Sequence, residues 1–336
     1  MTLRAAWLPF VDDKRVASVR LRTHNPVDIL RQDGVSARVL GRGGPTPDEV
    51  LILQKAYSQD HLAMAQQHRA SGGAVVLDLC DNHFVKNDAD PVLEARAARL
   101  MAILPHVDVV SVCTSELGEV VPHPETIVVN DALDVIRPRP QSRFRRRYRD
   151  PSRVDRVLWF GTAGAHDLPF GIRDLARVLP ALGRAGVEHP FDLVVMSNSR
   201  AAFSRLPVPP DLRARYVPWS AKAFARVAAV SDVAVLPVEI NAVTRGKTSN
   251  RVATAFQHGM NVVTDPLPSY LDYRECVRFG GYEEHVVEYL QDKSLRADHV
   301  RTGREITERL YAPSVISRQW RDVIERAALL RDASSS

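Results

Sequence analysis

Residues 244–266 read TRGKTSNRVATAFQHGMNVVTDP. The pattern is a polar loop around Gly246, a helix over Ser249–His258, a stop at Gly259, and a buried strand over Asn261–Thr264 closed by Asp265-Pro266. Arg245, Lys247 and Arg251 crowd the start of that helix, where backbone N–H groups lack partners and the helix dipole favours negative charge. Such a start binds phosphate, and Ser249 and Asn250 add side-chain donors. The chain has six lysines against 39 arginines, so a lysine at 247 is not its default cation. The competing reading is an N-capped surface helix with ordinary basic residues.

The same alternation of helix and apolar strand fills the rest of the chain. Before it, strands are expected at Arg4–Pro9, Ala37–Leu40, Val50–Leu53, Ala74–Leu79, Val107–Val112 and Thr126–Val129, with helices at Asn25–Gln32, Gln59–Ala70 and Pro91–Leu104. A second series starts at Arg156–Phe160 and continues through strands Phe191–Met196, Arg215–Pro218 and Asp232–Val238, with helices Ile172–Leu182 and Ala221–Val230. Helices Glu283–Gln291, Ser294–Leu310 and Pro313–Leu330 finish it. Continuous apolar strands alternating with helices imply parallel sheets covered on both faces. The expected fold is therefore α/β, with two facing Rossmann-like doubly wound domains and a cleft between them.

A length of 336 residues suits two domains. The expected division is an N-terminal domain over 1–138, an Arg/Pro-rich linker over 139–153, and a second domain over 154–312. A helix over 313–331 either closes that domain or crosses back to the first. Cys80, Cys113 and Cys276 are too few and too scattered for a disulfide framework or a zinc site. The N-terminal stretch MTLRAAWLPFVDDK lacks a long apolar core, so no signal peptide is expected, and the expected location is cytoplasmic.

The net charge of +5 is unevenly distributed. Arg137–Arg153 carries eight arginines in seventeen residues, and the remainder is close to neutral. This disfavours a nucleic-acid partner for the whole chain. The run itself reads as a solvated linker or as a strip that meets the anionic inner face of a membrane.

Ligands of parallel sheets bind beyond the carboxyl ends of the strands. There the sequence places Asp81 and His83, Gly161 and Thr162, Trp219, and Glu239 through Lys247. Several of these segments occur in a familiar order: VLWFGTA at Val157–Ala163, YVPWS at Tyr216–Ser220, SDVAVLPVE at Ser231–Glu239 and GKTSNRVATAFQHGMNVVTDPLPSY at Gly246–Tyr270. This half resembles the nucleotide-sugar domain of group 1 glycosyl transferases with the GT-B architecture. The N-terminal half is compatible through SVRLR at Ser18–Arg22, DLCDNHF at Asp78–Phe84, CTSEL at Cys113–Leu117 and VVNDALD at Val128–Asp134.

The resemblance implies transfer of a sugar from a nucleotide-diphosphate donor, held by the C-terminal domain, to a saccharide, lipid-linked or other hydroxyl acceptor held by the N-terminal domain. Polysaccharide or glycoconjugate assembly is the implied setting. No cofactor and no metal are implied, because cations and a helix start stabilise the leaving diphosphate. Lys247, Arg251, Ser249 and Asn250 would hold the diphosphate, and Gly161 and Thr162 would let phosphate approach the backbone. Trp219 either stacks on the base or belongs to the core. Asp81 or His83 would serve an inverting enzyme as general base. Arg20 and Arg22 either bind an anion or lie on a surface helix.

The two glutamates that many retaining GT-B enzymes carry eight positions apart fall on Gly246 and Thr254, and both are absent. Glu239 either substitutes for one or is a strand-end charge. A non-catalytic GT-B-like subunit and a nucleotide-sugar epimerase are therefore the alternatives. Asp88-Ala89-Asp90 reads as chance and helix capping.

Overall fold

The structure is a computed structural model that describes residues 3–41, 43–84, 91–135, 154–164 and 170–335. The arginine run at 137–153 and the Asp88-Ala89-Asp90 triplet lie outside the described residues. The chain divides into two compact units. Unit 1 comprises Met1–Asp134, Arg245–Thr248 and Arg309–Ser336, and unit 2 comprises Val135–Thr244 and Ser249–Glu308.

The strands are β1 (Arg4–Pro9), β2 (Ser36–Val39), β3 (Val50–Gln54), β4 (Val75–Leu79), β5 (Val109–Val112) and β6 (Thr126–Val128) in unit 1. Unit 2 holds β7 (Asp155–Phe160), β8 (Phe191–Ser197), β9 (Arg213–Pro218), β10 (Val233–Leu236), β11 (Asn261–Thr264) and β12 (Val277–Phe279). The longer helices are α1 (Asn25–Gln32), α2 (Gln59–Ala70), α3 (Pro91–Ile103), α4 (Ile172–Glu188), α5 (Ala221–Ala228), α6 (Asn250–Gln257), α7 (Tyr282–Gln291), α8 (Lys293–Tyr311) and α9 (Pro313–Ser335).

Unit 1 is a parallel sheet in the order β2-β1-β3-β4-β5-β6. Every residue of β3 and β4 is buried, which requires cover on both faces. One face packs Trp7, Ile52, Val76 and Val109 against Ile316, Trp320, Val323 and Ile324 of α9. Trp7 and Trp320 meet edge to face at 5.3 Å. The other face packs Leu51, Leu53, Leu77 and Leu79 with Ala65 of α2 and Leu100 and Ile103 of α3.

Unit 2 is also parallel, in the order β12-β11-β10-β7-β8-β9. The strand order reverses between β7 and β10, where open sheets of this kind bind ligands. Val157, Trp159, Val233 and Val235 pack with Leu175, Val178, Leu179 and Leu182 of α4 and Val286 and Leu290 of α7. Helix α6 contacts β10 and β11. It ends at Gly259 (φ +82°) with Met260 N–H donating to Ala255 and Gly259 N–H to Phe256, so its last carbonyls are satisfied by a left-handed glycine cap.

The structure adds to the sequence pattern in three places. Strand β12 is three residues with Arg278 in the middle, too short for any alternation to show. Helix α4 continues through Pro180 to Glu188, past the expected end at Leu182. Arg20–His24 forms a π-helical turn, and Arg22 within it is fully buried, which rules out the surface-helix reading for that residue. Among the described residues no helix is long and apolar enough to cross a membrane.

Candidate functional site

The site in unit 2 is built where β7 ends. The strand residues Trp159 and Phe160 give way to Gly161, whose N–H donates to Met196 O at 3.1 Å. A Cβ at 161 would stand 3.2 Å from the Trp159 ring and 3.3 Å from Arg251 Nη2, so the glycine leaves the space through which that guanidinium passes. The loop continues with Ala163 N–H donating to Asn198 Oδ1 at 2.8 Å and Gly164 N–H to Thr162 Oγ1 at 3.1 Å. It returns at Gly171 (φ +106°), where a Cβ would meet Thr162 O at 2.8 Å. Asp174 of α4 is buried and accepts the N–H groups of Gly171 (2.9 Å) and Glu239 (3.4 Å); burial raises its carboxyl pKa above the ordinary value.

Arg251 lies in the first turn of α6. Its Nη2 donates to Phe160 O, and its guanidinium carbon stands 5.6 Å from the centroid of the Trp159 ring and 5.5 Å from that of Phe160. Its Nε is buried, with no hydrogen-bond partner among the described residues. Among the described residues Arg251 forms no ion pair, and burial lowers its pKa, with Tyr270, Asp174 and Tyr282 opposing. An arginine stays protonated even so. The result is a half-buried cation at a helix start, beside a glycine loop, with no ion-pairing carboxylate among the described residues.

Unit 1 treats its cations in the opposite way. The tetrapeptide Arg245–Thr248 packs there, with Gly246 O accepting from Thr114 Oγ1 (3.0 Å) and Thr248 Oγ1 donating to Asp131 (2.9 Å). Lys247 Nζ donates to Asp81 Oδ1 at 2.8 Å, and Lys55 Nζ pairs with Asp81 Oδ2. Lys55 follows β3 at φ +55°, a conformation disfavoured for a residue with a side chain, and sits 5.6 Å over the Phe10 ring. Burial alone would raise the Asp81 pKa, but Lys247 and Lys55 outweigh it and hold the carboxyl well below its ordinary range. His83 is 7% exposed and meets Tyr57 edge to face at 5.0 Å, and among the described residues neither ring nitrogen has a hydrogen-bond partner. Burial pushes its imidazole down to about 4.

By sequence, no protein-family model and no curated protein matches the chain. Solved structures do match. A glycosyltransferase from Rickettsia africae superposes with a TM-score of 0.65 at 8% identity, over 97% of this chain and 98% of that one. HepE of Anabaena, solved with UDP and glucose, gives 0.63 at 12%, over 96% and 99%. TarM of S. aureus, solved with fondaparinux, α-GlcNAc-glycerol and UDP, gives 0.59 at 9%, over 83% and 56%. The fold is GT-B. The chain spans little more than half the length of TarM, and of the pneumococcal O-GlcNAc transferase GtfA that it also matches (57%).

Within this GT-B chain, the structure brings Gly161 and Arg251 together in unit 2 and Asp81, His83 and Lys247 together in unit 1. Ser249 (buried) and Asn250 open α6 in unit 2. Thr162 is exposed in the glycine loop. Trp219 is half-buried after β9, its N–H donating to Ser197 O at 3.0 Å, so it is not a core residue. Glu239 is exposed after β10, and its carbonyl accepts from Thr244 Oγ1 at 2.5 Å. At Gly246, one of the two positions without a glutamate, a Cβ would stand 3.2 Å from Leu117 Cβ and 3.4 Å from Leu117 Cα, so a side chain there needs Leu117 to give by a few tenths of an ångström.

Sequence reasoning missed Lys55 and the pairing of Arg22 with Asp78. Lys55 carried no motif. The Arg22–Asp78 pair is fully buried, with Asp78 also accepting from Ser111 Oγ at 2.8 Å; the available signal was an aspartate at a buried position of AVVLDL, which needs a cation. Burial works against the Arg22 charge, but Asp78 and Asp131 more than restore it, so Arg22 is not available to a ligand's phosphate. Arg20 is likewise engaged, with Asp134 at 2.7 Å.

Proposed function

We propose that the chain is a glycosyltransferase that moves a sugar from a nucleotide-diphosphate sugar to an acceptor hydroxyl in polysaccharide or glycoconjugate assembly. Arg251 carries this reading. A half-buried guanidinium that forms no ion pair among the described residues, at the start of a helix and beside a glycine loop, is suited to receive an anion. In the proposal the diphosphate rests on Arg251, the N-terminal turn of α6 and the loop at Gly161 and Thr162, with Ser249 and Asn250 as further donors. When the bond from the sugar's anomeric carbon to the β-phosphate oxygen breaks, charge grows on that oxygen and Arg251 stabilises it. No metal ion is required for that role. Trp219 is assigned to the base.

The acceptor belongs to unit 1 in this reading. Its hydroxyl oxygen bonds to the anomeric carbon and gives up a proton. Asp81 is a weak base because two lysines stabilise its ionised form. His83, at about 4, is a weak base too, but it is neutral at pH 7 and among the described residues both its ring nitrogens lack hydrogen-bond partners, so it is assigned as the proton acceptor. Asp81 instead holds Lys55 and Lys247 in place.

HepE, TarM and GtfA are each solved with UDP, which makes UDP the first nucleotide to try. Calorimetric titration of the full chain with UDP, GDP and dTDP tests the reading, followed by product analysis with the matching sugar nucleotides. Binding of none would remove the donor assignment. Binding without transfer would favour a non-catalytic subunit, and a product formed from donor alone would favour an epimerase.

A further inference from the structure

A buried arginine is normally held by a carboxylate, which also cancels its charge. Arg251 is held differently. Its guanidinium lies against the Trp159 and Phe160 rings and is fixed by one neutral acceptor, the Phe160 carbonyl. An aromatic face attracts a cation through its quadrupole and adds no formal charge of its own, and tryptophan does this best. Trp159 is completely buried between α4 and the sheet, so its ring cannot move away from the guanidinium. Gly161 completes the arrangement, since any Cβ there would press on both the Trp159 ring and Arg251.

We infer that Trp159 is a positioning residue for the donor: its ring keeps Arg251 in place, charged and unneutralised, for the diphosphate. This rests on the donor reading above and deepens it. Selectivity for a second phosphate then depends on a residue that never touches the nucleotide. Among the described residues the Trp159 indole N–H has no hydrogen-bond partner, so replacing the ring by phenylalanine removes no hydrogen bond there and changes chiefly the size and strength of the aromatic face.

The test compares affinities of the full chain for UDP, GDP and dTDP with those for the matching monophosphates. Wild type, Trp159→Phe, Trp159→Leu and Arg251→Ala are measured, with thermal unfolding as a check on folding. The diphosphate preference should fall about threefold in Trp159→Phe and about tenfold in Trp159→Leu, while monophosphate affinity stays at the wild-type value. Equal losses for both nucleotides would mean the ring only packs, and would overturn the inference. So would a wild-type preference in Trp159→Phe, which decides the matter if Trp159→Leu does not fold. If Arg251→Ala loses the preference while Trp159→Phe keeps it, the donor reading stands and the role of Trp159 falls. If Arg251→Ala binds as wild type does, the donor reading itself falls.

Discussion

Lys247 and Arg251 are four residues apart, yet the molecule handles their charges in opposite ways. Lys247 belongs to unit 1 and is paired with Asp81, which also binds Lys55. Arg251 belongs to unit 2 and is held by two aromatic rings and a carbonyl, with no ion-pairing carboxylate among the described residues. One cation is spent on structure and the other is left available. Two basic residues beside one helix start therefore do not make a single phosphate cradle merely because they are close in sequence; the groups packed around each decide its role.

The comparison breaks most visibly at Asp81. Asp81→Asn leaves the buried Lys55 and the half-buried Lys247 without their shared carboxylate, and should cost about 2–4 kcal/mol of stability by urea unfolding. Nucleotide affinity of the folded variant should stay within about twofold of wild type, since the effect is confined to unit 1. A stable variant with lost nucleotide binding would reverse the roles assigned to the two cations.

His83 sharpens the same contrast through pH. Its folded pKa of about 4 lies below the ordinary histidine value, so between about 6.5 and 4 the unfolded chain binds the proton and the folded chain does not. Stability from this group is therefore complete above 6.5 and lost as pH falls through that window, by on the order of 3 kcal/mol. Burial lowers His24, His61, His68 and His299 as well, so the contribution of His83 is the difference between wild type and His83→Phe. Identical pH slopes for the two proteins would contradict the buried, unpartnered imidazole.

Gly161→Ala probes the unit 2 side more gently. Its methyl group would crowd the Trp159 ring and the Arg251 guanidinium, and diphosphate affinity should fall about three- to tenfold with little change in melting temperature. The smallest effect is expected from chelation. With Arg251 as the cation at the leaving group, EDTA should leave the transfer rate unchanged, and a metal requirement would show that this cation does not suffice.

Much of the architecture was readable because it rests on local patterns. The apolar runs of β3, β4, β7 and β10 announce parallel strands covered on both faces, and Gly259 announces the end of α6 through the left-handed turn it adopts. The GKTSN stretch likewise announced a polar turn before a helix. What it could not convey is that residues 245–248 pack in unit 1 while the helix from Asn250 packs in unit 2, because that depends on Thr114, Asp131 and Asp81, more than a hundred positions away. The Arg22–Asp78 pair is hidden for the same reason: only an aspartate among buried valines and leucines hinted that a distant cation must answer it. The missing glutamate at 246 was legible, but the close packing of Gly246 on Leu117 was not.

The central claim is tested most directly by the affinity of the full chain for its preferred nucleoside diphosphate, measured by calorimetry in Arg251→Ala and Lys247→Ala. Removing a charge-assisted contact to phosphate costs roughly 1.5–3 kcal/mol, so Arg251→Ala should bind about ten- to a hundredfold more weakly. Lys247→Ala should lose far less, because its partner is Asp81. Equal losses, or a larger loss in Lys247→Ala, would contradict the account.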